Sequence, residues 1–203
     1  MSTLVRSGSF NGASVEVVKA AVGPNQVNQL NLAFKNIKDY TFLPNYKNLV
    51  NNVLLETEID HTGNGLENIP EEVFKLKNLK KLNAAYNLIS IWDDVPVNLE
   101  VLLLNNNRII DITAYVTQMT KLYWLDLSNN IIPTVIPLNK VKGLKYLFMR
   151  NNKINWIREL AHLKWLLELD VAGNLIEDID EVKAFESCTS IQVLNVSGNP
   201  VVE

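Results

Sequence analysis

Hydrophobic positions recur around a series of asparagines over most of the chain. Aliphatic residues (once an alanine, once a methionine) stand eight, five and three positions before each asparagine and again two positions after it. This pattern, L-x-x-L-x-L-x-x-N-x-L, has six well-formed copies between Leu79 and Val201, about 20 to 25 residues apart. A period of this length predicts a coil that repeats its structure. The asparagines are Asn87, Asn107, Asn130, Asn152, Asn174 and Asn199.

Within one copy, the alternation of apolar and polar positions predicts a short strand. We number the pattern from its first leucine, so positions 4 and 6 point into a core and positions 3 and 5 point to solvent. The asparagine at position 9 follows the strand, where the chain must turn. Its amide can pair with backbone groups of its own and neighbouring turns, so we expect a structural asparagine ladder and no ligand there.

Two degenerate copies precede the regular ones. The first consists of Val27, Leu30, Leu32 and Ile37, with Lys35 in place of the asparagine. The second runs through Leu54, Thr57 and Ile59, and in this register it reaches Asn64 and Leu66 only if about two residues are inserted. We therefore expect about eight coils.

The two ends of the chain carry separate expectations. Residues 1–11 are expected to be a flexible tail, and residues 12–26 a helical cap of a single domain that runs from 12 to 203. Ser14 would cap this helix, Gly23–Pro24 would end it, and one face would carry Val15, Val18 and Val22. The sequence ends soon after Asn199–Pro200 with no C-terminal cap, so we expect a truncated chain or a final edge covered by another molecule.

The repeat resembles that of the leucine-rich-repeat superfamily. The N-x-I-x-D-I segments at Asn107–Ile112 and Asn174–Ile179 resemble its 22-residue subclass, found in the phosphatase-1 regulatory leucine-rich-repeat subunit and in bacterial internalins. The resemblance implies an α/β solenoid: a right-handed coil with a parallel β-sheet on its concave face. Short helical or 3-10 segments would lie on the convex face. Strands about 4.8 Å apart and helices about 10 Å wide require such a bend.

Composition and charge narrow the classes of function. Hydrophobic residues make up 47% of the chain and charged residues 20%, as in ordinary globular proteins. The net charge of −3 does not favour direct nucleic-acid binding, which needs a basic footprint. No stretch is long and apolar enough to suggest a membrane span, and the first residues lack a secretory signal. These features predict a cytoplasmic or nuclear protein.

Residues able to perform chemistry are few and scattered. We expect His61 to be exposed in the second coil, and His162 and Cys188 to lie on outer segments of later coils. No nucleophile–base pair or phosphate-binding motif is present, so we predict no enzyme, no cofactor and no metal site. Asp178, Asp180 and Glu181 form an acidic group that we interpret as a solvated turn.

The outward strand positions provide the candidate site. Five of the six residues at positions 3 and 5 in three successive copies are apolar or aromatic, where the fold requires no apolar residue. Aromatic anchors with a charged rim are typical of protein-binding surfaces. The alternative is that the aromatic residues only strengthen contacts between strands. The candidate partner-binding residues are Lys81, Val101, Leu103, Trp124, Asp126, Tyr146, Phe148, Arg150, Glu168 and Asp170.

The main hypothesis is a non-catalytic scaffold that binds a protein on its concave face. The resemblance also implies alternatives: a regulatory subunit of an enzyme such as a protein phosphatase, an internalin-like virulence factor, or a partner in RNA processing similar to the spliceosomal leucine-rich-repeat A-prime protein. We expect no small-molecule substrate. Self-association through the C-terminal edge is a further expectation.

Overall fold

The computed structural model describes residues 3–10, 13–19, 29–31, 58–76, 78–93 and 95–202. Ten strands within these ranges form a single sheet in sequence order. The strands are β1 (Thr3–Phe10), β2 (Ala13–Lys19), β3 (Gln29–Asn31), β4 (Glu58–Asp60), β5 (Lys81–Asn83), β6 (Val101–Leu103), β7 (Trp124–Asp126), β8 (Tyr146–Phe148), β9 (Glu168–Asp170) and β10 (Val193–Asn195). Pairing is antiparallel from β1 to β3 and parallel from β3 to β10.

The parallel strands are in register at position 4 of the repeat. From β4 to β9 the central residue of each strand is buried, whereas its two neighbours are partly exposed. This is the alternation that the sequence predicts. The aligned residues are Leu30, Ile59, Leu82, Leu102, Leu125, Leu147, Leu169 and Leu194.

Short helical segments lie between the parallel strands, and one more follows β10. The single α-helix in the described part of the chain is α1 (Ile179–Lys183). The others are 3-10 helices: Glu71–Lys75, Ala114–Gln118, Ile136–Lys140, Arg158–His162, Ala184–Ser187 and Pro200–Val202. The core fills the space between these segments and the sheet. The predicted α/β solenoid, with a parallel sheet and short helical returns, is confirmed.

The asparagine ladder holds neighbouring coils together. Asn152 Nδ2 donates to the Leu127 carbonyl of the preceding coil and to the Met149 carbonyl of its own coil, both at 3.0 Å. Its Oδ1 accepts from the Ile132 N–H at 3.0 Å. Each amide thus satisfies three backbone groups of the turns. The equivalent bonds are made by Asn87, Asn107, Asn130, Asn174 and Asn199.

The residue before each ladder asparagine has a left-handed backbone. Glycine and asparagine tolerate this conformation best, which explains their frequency at position 8. Tyr86, with φ of 56°, is the exception and is exposed. The six residues are Tyr86, Asn106, Asn129, Asn151, Gly173 and Gly198, and Gly63 before Asn64 of the second coil has the same conformation.

The second coil corrects two expectations. Ile59 aligns with Leu82 and lies five residues before Asn64, so the repeat from Ile59 to Leu66 needs no insertion. His61 then occupies position 6, where other coils have an aliphatic residue, and it is fully buried rather than exposed. Burial lowers the pKa of His61 to about 4, although the nearby Asp60 carboxylate opposes this shift.

The N-terminal region also differs from the expectation. Ala13–Lys19, placed within the predicted helical cap, is a strand, and Thr3–Phe10 in the predicted flexible tail pairs with it. The physical reason is visible in the sequence, because Val15, Val17 and Val18 are β-branched and favour strands. The intervening Asn-Gly dipeptide is typical of hairpins. Several residues named in the sequence-based expectations lie outside the described residues. They are Val22 and Gly23–Pro24 of the cap, Val27, Leu32, Lys35 and Ile37 of the first coil, and Leu54 and Thr57 of the second.

Replacing a ladder asparagine should destabilise the whole coil. In Asn152→Ala, two buried carbonyls and one N–H lose their side-chain partner, so we expect unfolding to become easier by about 2–4 kcal/mol. Urea denaturation monitored by circular dichroism measures this loss. The control is Asn155→Ala, an exposed asparagine three residues later, which should change stability by less than about 0.5 kcal/mol. Equal losses in both variants would contradict the structural role of the ladder.

Buried His61 should make stability dependent on pH. Between the unfolded value of 6.5 and the folded pKa of about 4, the unfolded chain binds a proton that the folded chain does not. The stability that neutral His61 permits is therefore present above pH 6.5 and lost as the pH falls towards 4. The variant His61→Leu removes this contribution to the pH dependence of folding stability.

Urea unfolding at about pH 7.5 and about pH 4.5 tests this pH dependence. We expect the wild type to lose about 2–3 kcal/mol more than His61→Leu on acidification. His162→Leu, which replaces an exposed histidine, should behave as the wild type. A wild type and a His61→Leu variant with parallel pH profiles would show that His61 does not titrate in this way.

Candidate functional site

The outward strand positions form one continuous face of the sheet. Positions 3 and 5 flank a buried residue in every strand from β4 to β9, so their side chains point away from the core. All of them are partly exposed. Nine of the ten candidate residues belong to this set, and Arg150 lies exposed just beyond β8.

Aromatic side chains pack together in the middle of this face. The Trp124 ring lies 4.8 Å from the Tyr146 ring and 5.2 Å from the Phe148 ring, centroid to centroid, with tilts of 37° and 41°. Tyr146 is the direct cross-strand neighbour of Trp124, and Phe148 is diagonal to it. Val101 is the neighbour of Trp124 on the other side. We call Val101, Leu103, Trp124, Tyr146 and Phe148 the apolar floor.

A groove of about 740 Å³ opens beside the apolar floor. Its rim carries two ion pairs, Lys80 with Glu100 at 3.2 Å and Lys81 with Glu58 at 3.9 Å. Both pairs are substantially exposed, so they contribute little to folding stability. The groove is lined by Glu58, Lys80, Lys81, Glu100, Val101, Leu103, Tyr123, Trp124 and Asp126. The arrangement suits a protein segment with apolar and charged side chains.

Position 5 has a structural role in most strands. In five of the seven strands from β4 to β10 it is Asp or Asn, and the side-chain oxygen accepts the N–H two residues later at 2.9 to 3.2 Å. This short turn ends the strand. The five residues are Asp60, Asn83, Asp126, Asp170 and Asn195. Leu103 and Phe148 occupy the same position and cannot make this bond.

Three carboxylates in and beside the C-terminal half of the apolar floor have no ion-pair partner among the described residues. In the described part of the chain, no Lys, Arg or His side chain forms an ion pair with Asp126, Glu168 or Asp170. Burial raises the pKa of Asp126, and the Asp170 carboxylate raises it further, while hydrogen bonds from Ser128 act in the opposite direction. The C-terminal side of the floor is therefore negatively charged and partly desolvated.

The acidic group near α1 is not a solvated turn throughout. Glu181 is 1% exposed and binds Arg158, with hydrogen bonds from the Ile157 and Arg158 N–H groups at 2.7 and 2.9 Å. Burial alone would raise the pKa of Glu181, but the bonds from Arg158 and Ile157 outweigh it and hold the pKa below its ordinary value. Asp178 and Asp180 are exposed, as expected.

The tryptophans divide between core and surface. Trp92 is buried, and its Nε1 donates to the Asp111 carbonyl at 3.2 Å. Trp156 and Trp165 are 58% and 64% exposed, more than any residue of the apolar floor. Neither of these two is among the candidate partner-binding residues predicted from the sequence. The repeat numbering could have placed Trp156 on the surface where the chain leaves the sheet, because it stands four residues past a ladder asparagine.

None of the helices in the described part of the chain is both long and apolar enough to cross a bilayer. The same residues contain no group of three or more His, Cys, Asp or Glu side chains arranged to hold a metal ion.

Comparison with known sequences gives relatives that share the repeat. The chain is 30% identical over 157 residues to a protein phosphatase 1 regulatory inhibitor subunit PPP1R7 homolog of Arabidopsis thaliana, across 70% of this chain and 47% of that protein. It is 27% identical over 129 residues to the human serine/threonine-protein kinase 11-interacting protein, across 61% of this chain and 12% of that protein. The chain thus spans less than half the length of either relative. No family model matches the sequence.

Comparison with solved structures gives the same fold. An internalin of Listeria monocytogenes superposes with a TM-score of 0.74 and 23% identity, over 85% of this chain and 48% of the internalin. Internalin C2 of the same species superposes with a TM-score of 0.73 and 18% identity, over 86% and 73%. The repeated strand–asparagine coil, the sequence relatives and these structures agree. The chain belongs to the leucine-rich-repeat superfamily.

Proposed function

We propose that the chain is a non-catalytic scaffold that binds a protein partner on its concave face, across the apolar floor. The observation that carries this proposal is the pair of apolar residues at position 5. Leu103 and Phe148 replace the Asp or Asn that ends the other strands. Each replacement gives up a hydrogen bond and leaves apolar area partly in water.

Contacts between strands do not account for the whole floor. Stacking on Trp124 gives Tyr146 and Phe148 a structural benefit, because aromatic pairs contribute about 0.5–1.5 kcal/mol beyond area burial. Leu103 lies beside Asp126 in the next strand, which is a poor partner for an aliphatic side chain. Burial by a partner explains Leu103 and the aromatic cluster together.

The surroundings of the floor suit a protein rather than a small molecule. The groove is open and continuous with the outward face of the sheet, and charged residues surround the apolar centre. An apolar centre with a polar rim is the usual anatomy of a protein interface. Lys81 and Asp126 line the groove, while Arg150, Glu168 and Asp170 lie at or beyond its C-terminal side. We assign these five residues to the rim.

The residues most suited to catalysis are placed apart in the structure. His61 is buried in the second coil, whereas His162 and Cys188 lie on outer segments of two later coils. This placement supports a non-catalytic role. The similarity to the phosphatase regulatory subunit homolog supports a cytoplasmic or nuclear location, which is part of the same proposal.

Regulation of a protein phosphatase is the second candidate function. It is favoured by the 30% identity to the Arabidopsis phosphatase 1 regulatory subunit homolog over 70% of this chain. The likeness to internalins is one of fold and gives no support to a virulence function. Self-association through the C-terminal edge stays a prediction.

Restoring the usual residue at position 5 should separate binding from folding. In Leu103→Asn and Phe148→Asn the new amide can accept the N–H two residues later, as Asn83 does at 3.1 Å. We expect each variant to stay within about 1 kcal/mol of the wild type, since the new bond offsets part of the lost packing. Partner recovery in a tagged pull-down quantified by mass spectrometry should fall at least tenfold.

Two controls accompany the position 5 variants. Leu125→Ala, which opens a cavity in the core below Trp124, should cost about 2–5 kcal/mol. Trp165→Ala, at an exposed tryptophan outside the floor, should leave partner recovery unchanged. If Phe148→Asn retained its partners while remaining folded, the concave site would be rejected.

Phosphatase regulation has a direct test. Purified phosphatase 1 catalytic subunit should bind the wild-type chain in isothermal titration calorimetry and bind Phe148→Asn at least tenfold more weakly. The physical reason is the loss of an aromatic anchor from the centre of the interface. No heat of binding with the wild type would remove this candidate and leave the scaffold proposal in place.

A further inference from the structure

A second surface runs along one flank of the solenoid. We define the exit flank as the residues one to four positions past each ladder asparagine, where the chain leaves the sheet. Most of the exposed large apolar side chains in the described part of the chain lie on or next to it. Leu88, Ile110, Ile131, Trp156 and Leu175 are each between 37% and 58% exposed. Contiguous exposed apolar residues usually mark interaction sites.

A cleft interrupts the exit flank between two neighbouring coils. It has a volume of about 320 Å³, and Trp156 from one coil and Leu175 from the next form its apolar walls. Asn155, Glu177, Asp178 and Glu181 complete the lining. An exposed tryptophan and leucine that face one cleft provide an apolar slot between coils.

The position of Trp156 is fixed by contacts of the buried Glu181 carboxylate with the residues that follow it. Glu181 accepts the N–H groups of Ile157 and Arg158, the two residues that follow Trp156. The Arg158 guanidinium pairs with Glu181 and Asp178 and lies 5.9 Å from the Trp156 ring centroid. The tryptophan is therefore held on an ordered segment although its ring is exposed. A preformed wall reduces the entropy lost on binding.

The cleft carries more negative than positive charge. Glu177, Asp178 and Glu181 contribute three carboxylates, and Arg158 is the cation in contact with them among the described residues. Arg158 is already bound to Glu181 and Asp178, and no described cation forms an ion pair with Glu177. A group that complements the charge of the cleft is therefore a cation, and it has to come from another molecule.

We propose that this cleft binds a Lys or Arg side chain of a protein partner, and that apolar residues next to this side chain lie on the exit flank. The aliphatic stem of Lys or Arg matches the walls formed by Trp156 and Leu175, and its cationic head reaches Glu177 and Asp178. A free metal ion fits less well, because Glu181 is committed to Arg158 and an apolar slot offers no ligand. This site is separate from the concave face.

Selection from phage-displayed random peptides tests the chemistry of the occupant. Peptides are selected on the wild-type chain after counter-selection on Trp156→Ala. The proposal expects sequences in which Lys or Arg adjoins aliphatic or aromatic residues. A selected set without such basic residues, or no peptide above background, would overturn the proposal.

Affinity measurements on one selected synthetic peptide then locate the site. Fluorescence polarisation should show at least tenfold weaker binding to Trp156→Ala and to Glu177→Lys. Trp165→Ala and Glu186→Lys change equally exposed residues outside the cleft and should bind as the wild type. Phe148→Asn, in the concave floor, should also bind normally. Unchanged affinity in Trp156→Ala, or loss in Phe148→Asn, would refute this location.

Analytical sedimentation of the wild type and of Trp156→Ala, both without peptide, tests whether a second copy of the chain occupies the cleft instead. We expect both proteins to have the same association state, because self-association through the C-terminal edge would not depend on Trp156. A wild-type dimer that Trp156→Ala dissociates would show that a second copy covers the cleft, and it would overturn the proposal of a basic partner segment.

Discussion

The hydrogen bonding of one buried amide per coil is the constraint on which this solenoid depends. A strand of three residues followed by a sharp turn leaves backbone carbonyls and N–H groups pointing into the interior. Asn130, for example, donates to carbonyls of its own coil and of the preceding coil and accepts an N–H from the latter. Without a side chain that both donates and accepts at this place, each coil would bury unsatisfied groups.

This constraint separates the residues that build the coil from those free to vary. Inward positions are filled by aliphatic side chains, and position 5 is given mostly to the Asp or Asn that ends the strand. Departures from these requirements are therefore informative. Leu103 and Phe148 depart on the concave face, and His61 departs in the core. The first two leave apolar area partly in water, whereas burial of His61 lowers the pKa of its imidazole.

The two proposed surfaces differ in how they are constructed. The concave floor is made of side chains on rigid strands in three successive coils, with spacing set by the sheet. The cleft on the exit flank is made of loop residues together with Glu181 of α1, and the contact of Arg158 with buried Glu181 orders it. A solenoid presents both surfaces at once, so one chain can contact two segments of a partner, or two partners.

The sequence by itself determined the period, the register of β5 to β10 and the outward residues of the floor, because a repeated pattern allows a single way of stacking. Only the tertiary structure decided that His61 fills an aliphatic position, that Ala13–Lys19 extends the sheet, and that Glu181 lies buried against Arg158, 23 residues away. Those outcomes depend on contacts between coils, and a pattern within one coil carries no information about such contacts.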